Sequence, residues 1–158
     1  KDYRIYSSMH DKNQLSYVIW CWGGLVTTTT DAQYLHGSSQ FSWNINPYHA
    51  DRTSYYPIDI SIAKIACQAN VPVSVSAFYK KTYGGSDGIQ ASLIIKGSQL
   101  EGMSYQDYVQ TATNSTDWQQ LTIPTFTPTQ DGIIDVMARA WSDGTSYGTV
   151  YISDISVH

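Results

Sequence analysis

Short stretches in which apolar and polar residues alternate recur along the chain. Apolar side chains occupy every second position at Val73, Val75 and Ala77, and again at Ile58 and Ile60. An alternation with a period of two turns one face of a strand toward a core and the other toward water. Gly, Pro, Asn and Asp separate these stretches, and no segment shows the spacing of an amphipathic helix. The pattern predicts an all-β fold.

The turns between these stretches recur at the intervals typical of a β-sandwich, and about eight or nine strands are expected. Two loops are predicted: residues 23–31, which lie between the first two predicted strands, and residues 46–57. A hairpin is predicted from the pairing of residues 71–80 with residues 89–96. The fold class predicted is a two-sheet antiparallel β-sandwich of jelly-roll type. Predicted strands cover residues 17–22, 40–45, 58–63, 71–80, 89–96, 118–126, 132–141 and 149–157, with one short strand near Tyr108.

The length of the chain, 158 residues, is near the common size of one domain. We therefore expect a single β-sandwich domain over residues 1–158. The first residue is Lys1 rather than Met, so we expect a fragment of a larger protein. No apolar run reaches the length that crosses a bilayer, and membrane insertion is not expected.

The charge and aromatic content indicate which partners suit the chain. Charged residues make up 14% of the sequence and the formal net charge is −4, whereas a phosphate backbone requires clustered Lys and Arg, so a nucleic-acid partner is not expected. The 13 Tyr and 5 Trp combine flat rings with polar edges, which suits neutral polar ligands. The alternative is that these rings serve strand packing, since β-sheets favour Tyr and Trp.

The sequence carries no motif of a serine hydrolase, a zinc peptidase or a phosphate-binding loop. Its acidic residues lie mostly beside Gly, Ser or Thr in predicted turns, which does not favour a pair of facing catalytic carboxylates. We expect that the protein is not an enzyme. Cys21 and Cys67 lack the spacing of a metal site and are either buried free thiols or a disulfide.

Candidate ligand-binding residues lie on the predicted strand over residues 132–141. If its alternate apolar residues point into the core, Asp135, Arg139 and Trp141 share the opposite face. An acid, a base and an indole on one face suit a sugar. The alternative is a surface ion pair between Asp135 and Arg139 that Trp141 shields.

Tyrosines in predicted loops add three further candidates for ligand binding. Tyr55 and Tyr56 are candidates because they belong to the loop over residues 46–57, and long ordered loops often carry binding residues. Tyr147 lies close to Trp141 across the turn at Gly144. The alternative for each is that its ring packs a loop against the sandwich.

Three phrases in the last two-thirds of the chain resemble a known family. They are ANVPVSVSA at residues 69–77, WQQL at 118–121 followed by FTPTQDG at 126–132, and VYISDISV at 150–157. In order and spacing they resemble the jelly-roll carbohydrate-binding-module-like domains that are attached to glycoside hydrolases and also occur in phage and other surface structural proteins. The resemblance covers about residues 57–157. It implies a jelly-roll sandwich, a polysaccharide or other glycan as partner, and a location that is extracellular, secreted or on a particle surface.

The resemblance also implies roles for two positions. The family keeps a packing tryptophan at a strand start, which matches Trp118 and implies that its indole lies in the core. The family's closing strand usually carries two aspartates, the second of which helps to hold a structural calcium; here Ser153 replaces the first and Asp154 matches the second. Asp154 is therefore a candidate calcium ligand, since calcium prefers oxygen ligands, or it caps a β-bulge or meets solvent.

The sequence thus predicts a non-catalytic carbohydrate-binding-module-like domain that recognises a glycan through aromatic and polar residues on a concave sheet face or on loops. The alternative is a structural or decoration domain of a viral or cell-surface assembly. In that case the aromatic residues contact other subunits of the assembly.

Overall fold

A computed structural model describes the chain over residues 4–7, 25–47, 58–82, 89–97, 105–108, 117–142 and 148–158, with the backbone alone described at residues 4–7, 25, 105–108 and 142. Within these ranges no helix is long and apolar enough to cross a membrane. The strands are Arg4–Ser7 (β1), Leu25–Thr29 (β2), Ser42–Asn46 (β3), Ile58–Cys67 (β4), Val73–Lys81 (β5), Ile89–Lys96 (β6), Tyr105–Tyr108 (β7), Gln119–Phe126 (β8), Gly132–Ser142 (β9) and Val150–Val157 (β10).

These ten strands form two antiparallel sheets of five strands each. The first sheet has the order β1–β4–β9–β6–β7, and the second has the order β2–β3–β10–β5–β8. Strands that follow each other in sequence mostly lie in opposite sheets, as connections that cross between the layers of a jelly roll require. The predicted all-β sandwich is confirmed.

Apolar side chains from both sheets fill the space between the layers. Ile60 and Val136 of the first sheet and Ile45 and Val75 of the second are each 0% exposed. The predicted alternation explains this core, because every second residue of β4, β5 and β9 reaches it. The other residues of these strands form the outer faces of the two sheets, where polar side chains gather.

The predicted hairpin between residues 71–80 and 89–96 is wrong. Strand β5 pairs with β10 and β8 in the second sheet, whereas β6 pairs with β9 and β7 in the first. The glycine-containing segment between the two strands therefore connects the sheets. Alternation identifies a strand and its buried face, but it carries no information about which strand lies beside it.

The prediction that residues 23–31 connect two strands is also wrong in part. Residues Leu25–Thr29 form β2, which pairs with β3 so that Val26 lies opposite Ile45 and Thr28 opposite Trp43. Three consecutive threonines suit this edge position, because β-branched side chains favour strands and their hydroxyls tolerate water. The strand predicted over residues 17–22 lies outside the described residues, as does nearly all of the loop predicted over 46–57.

Cys67 ends β4 as a buried free thiol. Its sulfur donates to the carbonyl oxygen of Gly132 at 3.4 Å. Burial and the nearby carboxylate of Asp131 raise the pKa of this thiol above its ordinary value. Of the two alternatives given above, Cys67 behaves as the small buried hydrophobe, while Cys21 lies outside the described residues.

Candidate functional site

The outer face of the first sheet carries a set of polar side chains on β4 and β9. Register places Asp59 opposite Arg139, Ser61 opposite Met137 and Lys64 opposite Asp135. We call these six residues the first outer face. Because the two strands are direct neighbours, opposite side chains lie close enough to interact.

Arg139 and Asp59 form a two-pronged ion pair. Nε of Arg139 donates to Oδ1 of Asp59 at 2.7 Å, and Nη2 donates to Oδ2 at 2.9 Å. The two side chains are 23% and 30% exposed, so the pair is half-buried and still reachable from solvent. Its fork geometry holds the guanidinium and the carboxylate in one plane.

Asp135 lies on the same face, two rows from Arg139, and has different partners. Its carboxylate accepts a hydrogen bond from the Ser61 hydroxyl at 2.5 Å and lies 3.5 Å from the Lys64 ammonium. The ion pair that the sequence suggested, between Asp135 and Arg139, is thus replaced by pairs across the β4–β9 register, which the sequence does not reveal.

The side of this sheet that lies toward β6 is closed to solvent. Trp141 is 7% exposed, and Ser92 and Ile94 of β6 are both 0% exposed although they alternate with core residues. Trp141 therefore presents little of its indole to a ligand, and the accessible area lies over β4 and β9. Tyr55, Tyr56 and Tyr147 lie outside the described residues.

Ser92 has a buried hydroxyl that makes no hydrogen bond within the described part of the chain. Replacing an unsatisfied buried hydroxyl by hydrogen is close to neutral, so Ser92→Ala is expected to leave the free energy of unfolding in urea unchanged or to raise it by about 1 kcal/mol. Ser61→Ala is the matched control, because it removes a hydroxyl that donates to Asp135, and it is expected to lower this free energy. A clear loss of stability in Ser92→Ala would show that its hydroxyl has a partner.

The outer face of the second sheet is crossed by the β2–β3 loop, residues 30–41. The loop contains a short 3-10 turn, Ala32–Tyr34, which Asp31 caps by accepting a hydrogen bond from the Gln33 backbone. The ring of Tyr34 stacks on Tyr151 of β10 with 3.9 Å between centroids and 5° between planes. The loop thereby buries the middle of this face.

The phenol of Tyr151 is a weaker acid than usual because of this contact. Burial, a hydrogen bond with Tyr34 and the negative charge of Asp31 raise the pKa of Tyr151 to about 12. Since its folded-state pKa lies above the ordinary value of 10, Tyr151 contributes stability that is present below pH 10 and is lost as the pH rises through about 12.

This shift predicts a pH dependence of stability in the alkaline range. Between about pH 9 and about pH 11.5, the protein is expected to lose about 2 kcal/mol more of its free energy of unfolding than the Tyr151→Phe variant loses. Urea denaturation of both proteins at the two pH values measures the difference. Equal losses would mean that the phenol of Tyr151 titrates normally in the folded protein.

His36 fixes the second half of the β2–β3 loop to the sheet. Its backbone N–H donates to the Ser153 hydroxyl at 3.0 Å, and its Nδ1 lies 2.8 Å from Oδ2 of Asp154. Its ring stacks on Phe78 of β5 with 3.7 Å between centroids. Three contacts of different kinds, one through the backbone and two through the imidazole, therefore hold His36.

Asp154 lies at a bulge in β10, where the register with β5 shifts between Ser153 and Ser156. Its φ of 54° is in the left-handed region, and its backbone N–H, turned out of the ladder, donates to the Ser39 hydroxyl at 2.7 Å. The carboxylate faces the imidazole of His36. Asp154 thus occupies the bulge position that the sequence left open as an alternative.

The neighbours of Asp154 bear on the calcium prediction. Within the ranges that the structure describes, no group of three or more His, Cys, Asp or Glu residues is placed to hold a metal ion. An imidazole lies 2.8 Å from this carboxylate, whereas calcium takes oxygen ligands. The described residues around Asp154 do not form a calcium site by themselves, and its role as a calcium ligand stays a prediction.

Trp118 lies on the outer face of the second sheet and not in the core. It is half-buried, outside the buried cluster between the sheets, and meets His36 edge-on at 5.3 Å between centroids. The Lys80 ammonium lies 5.6 Å from the centre of its ring. The core position implied by the resemblance is therefore wrong, because Trp118 precedes β8 and packs against the β2–β3 loop.

The sequence did not identify Tyr34, His36 or Phe78 as parts of a surface cluster. One signal was available, since Phe78 lies on the polar face of an alternating strand, with Ser74 and Ser76. An aromatic ring on such a face requires either a covering segment or a ligand. The covering loop comes from another part of the chain, which no local pattern shows.

Comparison with known proteins supports the fold. No protein-family model and no curated protein sequence matches this chain. The solved structure of TmCBM61 in complex with beta-1,4-galactotriose is similar with a TM-score of 0.59 and 11% identity, over 99% of this chain and 87% of that one. The structure of Family 16 Carbohydrate Binding Module-2 is similar with a TM-score of 0.53 and 18% identity, over 87% of both chains.

A phage protein shares the same fold in part. The enzymatically active domain of tailspike protein 4 of bacteriophage CBA120 is similar with a TM-score of 0.53 and 12% identity, over 85% of this chain and 17% of that one. At such identities the likeness shows the fold. The chain has the jelly-roll sandwich fold of carbohydrate-binding modules, as the sequence phrases predicted.

Proposed function

We propose that this chain is a non-catalytic glycan-binding domain that holds its ligand on the first outer face. The observation that supports this most directly is the half-buried, two-pronged pair of Arg139 and Asp59, which shares its face with Asp135. Planar guanidinium and carboxylate groups bridge adjacent hydroxyls, which are what a sugar presents. Since these groups hold each other in place before a ligand arrives, little side-chain entropy is lost on binding.

The dimensions of this face suit a chain of sugars. Neighbouring strands lie about 4.8 Å apart, and side chains on one face follow each other along a strand at about 6.7 Å. Ser61 and Met137 therefore lie between the Asp59–Arg139 row and the Lys64–Asp135 row. The side chain of Met137 offers an apolar surface for the C–H face of a sugar ring. Tyr55, Tyr56 and Tyr147 complete the proposed ligand-binding set, whereas the indole of Trp141, 7% exposed, offers the ligand little surface.

The carboxylates of this face support binding and not hydrolysis. Asp59 is held by both prongs of Arg139, and Asp135 accepts from Ser61 and lies beside Lys64. A glycosidase instead aims two carboxyl groups at opposite sides of one bond. We also propose that the domain is extracellular, secreted or on a particle surface, as its resemblance to carbohydrate-binding-module-like domains implies.

A glycan-array experiment on the purified domain tests the proposal. Specific binding is expected, with a loss of at least about tenfold in affinity in Arg139→Ala and in Asp135→Ala, because each change removes a hydrogen-bonding group from the face. Thr27→Ala, on an exposed residue of the other sheet, is the matched control and is expected to bind normally. Repeating the array with a calcium chelator tests whether Asp154 is a calcium ligand that the binding depends on.

The alternative is a structural domain of a viral or cell-surface assembly. A folded protein that binds no glycan and forms oligomers as its concentration rises would overturn the glycan proposal in favour of this role. Sedimentation of the same preparation measures the oligomers.

A further inference from the structure

We propose a second sugar-binding site on the outer face of the second sheet, formed by Trp118, His36 and Lys80 and shaped for a single sugar ring. The site lies on the sheet opposite to the one in the proposed function. It rests on that function only for the class of ligand.

The aromatic part of this site is built from three separate elements. Trp118 precedes β8, Phe78 belongs to β5 and His36 to the β2–β3 loop, and the imidazole stacks on Phe78 while meeting the indole edge-on. Trp118 remains half-exposed in this cluster. A half-exposed indole with a fixed orientation is the surface on which the C–H face of a pyranose packs.

Two hydrogen-bonding groups flank the indole. His36 directs Nδ1 to Asp154, so Nε2 lies on the opposite edge of a ring that is 30% exposed, and within the described residues Nε2 has no hydrogen-bond partner. With Nδ1–H donating to the carboxylate, Nε2 is an acceptor for a sugar hydroxyl. The Lys80 ammonium lies over the indole, 5.6 Å from the centre of its ring, and makes a long 3.5 Å contact with the Gln33 carbonyl, so its donors are next to the ring.

The cluster is held in one arrangement before any ligand binds. The backbone N–H of His36 donates to Ser153, and the backbone N–H of Asp154 donates to Ser39, so the loop and the bulge fasten each other. Asp154 keeps a left-handed φ of 54° in this arrangement. A backbone that is strained and locked in this way is typical of functional sites.

The loop also limits the size of the ligand. It covers the middle of the sheet so fully that Ser42 and Ser153 are 0% exposed and Tyr151 is 7% exposed. An extended glycan cannot lie across such a face. What the described residues leave accessible here is the half-exposed ring of Trp118, which suits one sugar ring, and such a ring is most accessible at the end of a glycan chain.

Nuclear magnetic resonance of the whole chain tests this site independently of the first one. Methyl glycosides of glucose, galactose and N-acetylglucosamine are added singly to labelled protein, and the indole N–H of Trp118, the ring of His36 and the side chain of Arg139 are followed. For at least one sugar we expect saturable shifts at Trp118 and His36, weakened at least about tenfold in Trp118→Ala and in Lys80→Met. Thr27→Ala, a control on the same face, is expected to match the wild type.

The outcomes separate the two sites. Saturable shifts at Arg139 with none at Trp118 and His36 would overturn the second site and leave the proposed function intact. A second result is that the Arg139 side chain of the wild type shows no response, while the shifts at Trp118 persist in Arg139→Ala. This result would support the second site and count against the first. Trp118→Phe keeps an aromatic ring at this position and serves as the second variant if Trp118→Ala does not fold. Normal binding by a folded Trp118→Ala would also overturn the second site.

Discussion

Gly37→Ala is expected to lower the free energy of unfolding by about 3 kcal/mol, because a backbone cost and a steric clash act together. Gly37 has a φ of 59°, a left-handed conformation that a residue with a Cβ adopts at a cost. An added Cβ would lie 2.3 Å from Oδ2 of Asp154 and 2.7 Å from its Cγ. The carboxylate cannot simply turn away, since His36 holds it at 2.8 Å.

Urea denaturation of a double-mutant cycle with Asp154→Gly separates the two causes. Glycine at position 154 removes the carboxylate and relieves a left-handed φ of 54°, so Gly37→Ala in that background is expected to keep only the backbone cost of about 1 kcal/mol. Ser38→Ala, at the exposed neighbouring position, controls for a general effect of changing the loop. A cost for Gly37→Ala that is the same in both backgrounds would mean that the carboxylate moves freely.

The strands of this fold follow from local alternation. Residues 89–96 were predicted as a strand with the bounds that β6 has, and the strand predicted over 71–80 differs from β5 by two residues at its start and one at its end. This is possible because burying every second side chain requires apolar residues at a period of two. Strand β2 escaped prediction since its threonines satisfy an edge position and leave little apolar signal.

The partners of each strand could not be predicted in the same way. Asp135 and Arg139 were expected to interact because they share a face of β9, but each interacts across the sheet with β4. That choice depends on the register of two strands about seventy residues apart in sequence, and nothing local encodes it. The face of the site was therefore predictable from the alternation, and its ion pairs were not.

The cluster on the second sheet shows the same limit more fully. His36, Phe78, Trp118 and Asp154 come from four parts of the chain and meet only in the folded protein. The sequence did offer Asp154 as a residue that caps a bulge, as an alternative to the calcium role, and short polar side chains do tolerate left-handed backbone. It did not show that a loop more than a hundred residues earlier would supply the imidazole.

The ion pairs of the first outer face lead to the second large prediction. Arg139→Met keeps the apolar stem and removes the guanidinium fork, and it is expected to lower the free energy of unfolding by about 2 kcal/mol. The reason is that Asp59, 30% exposed, then keeps its charge in a half-buried place without either hydrogen bond. Lys64→Met on the same face is expected to cost under about 0.5 kcal/mol, since that lysine is 47% exposed and its single contact is 3.5 Å long.

A cycle with Asp59→Asn isolates the interaction between the two side chains. If the pair acts as one unit, the combined Arg139→Met and Asp59→Asn variant loses less stability than the two single changes added together, with a coupling of about 1 to 2 kcal/mol. Urea denaturation at low and high salt measures it, and a half-buried fork should weaken less with salt than the Lys64–Asp135 contact does. Additive single changes would mean that the fork contributes no more than a surface ion pair. In that case the first outer face would lack the fixed polar groups on which its glycan binding is proposed to depend.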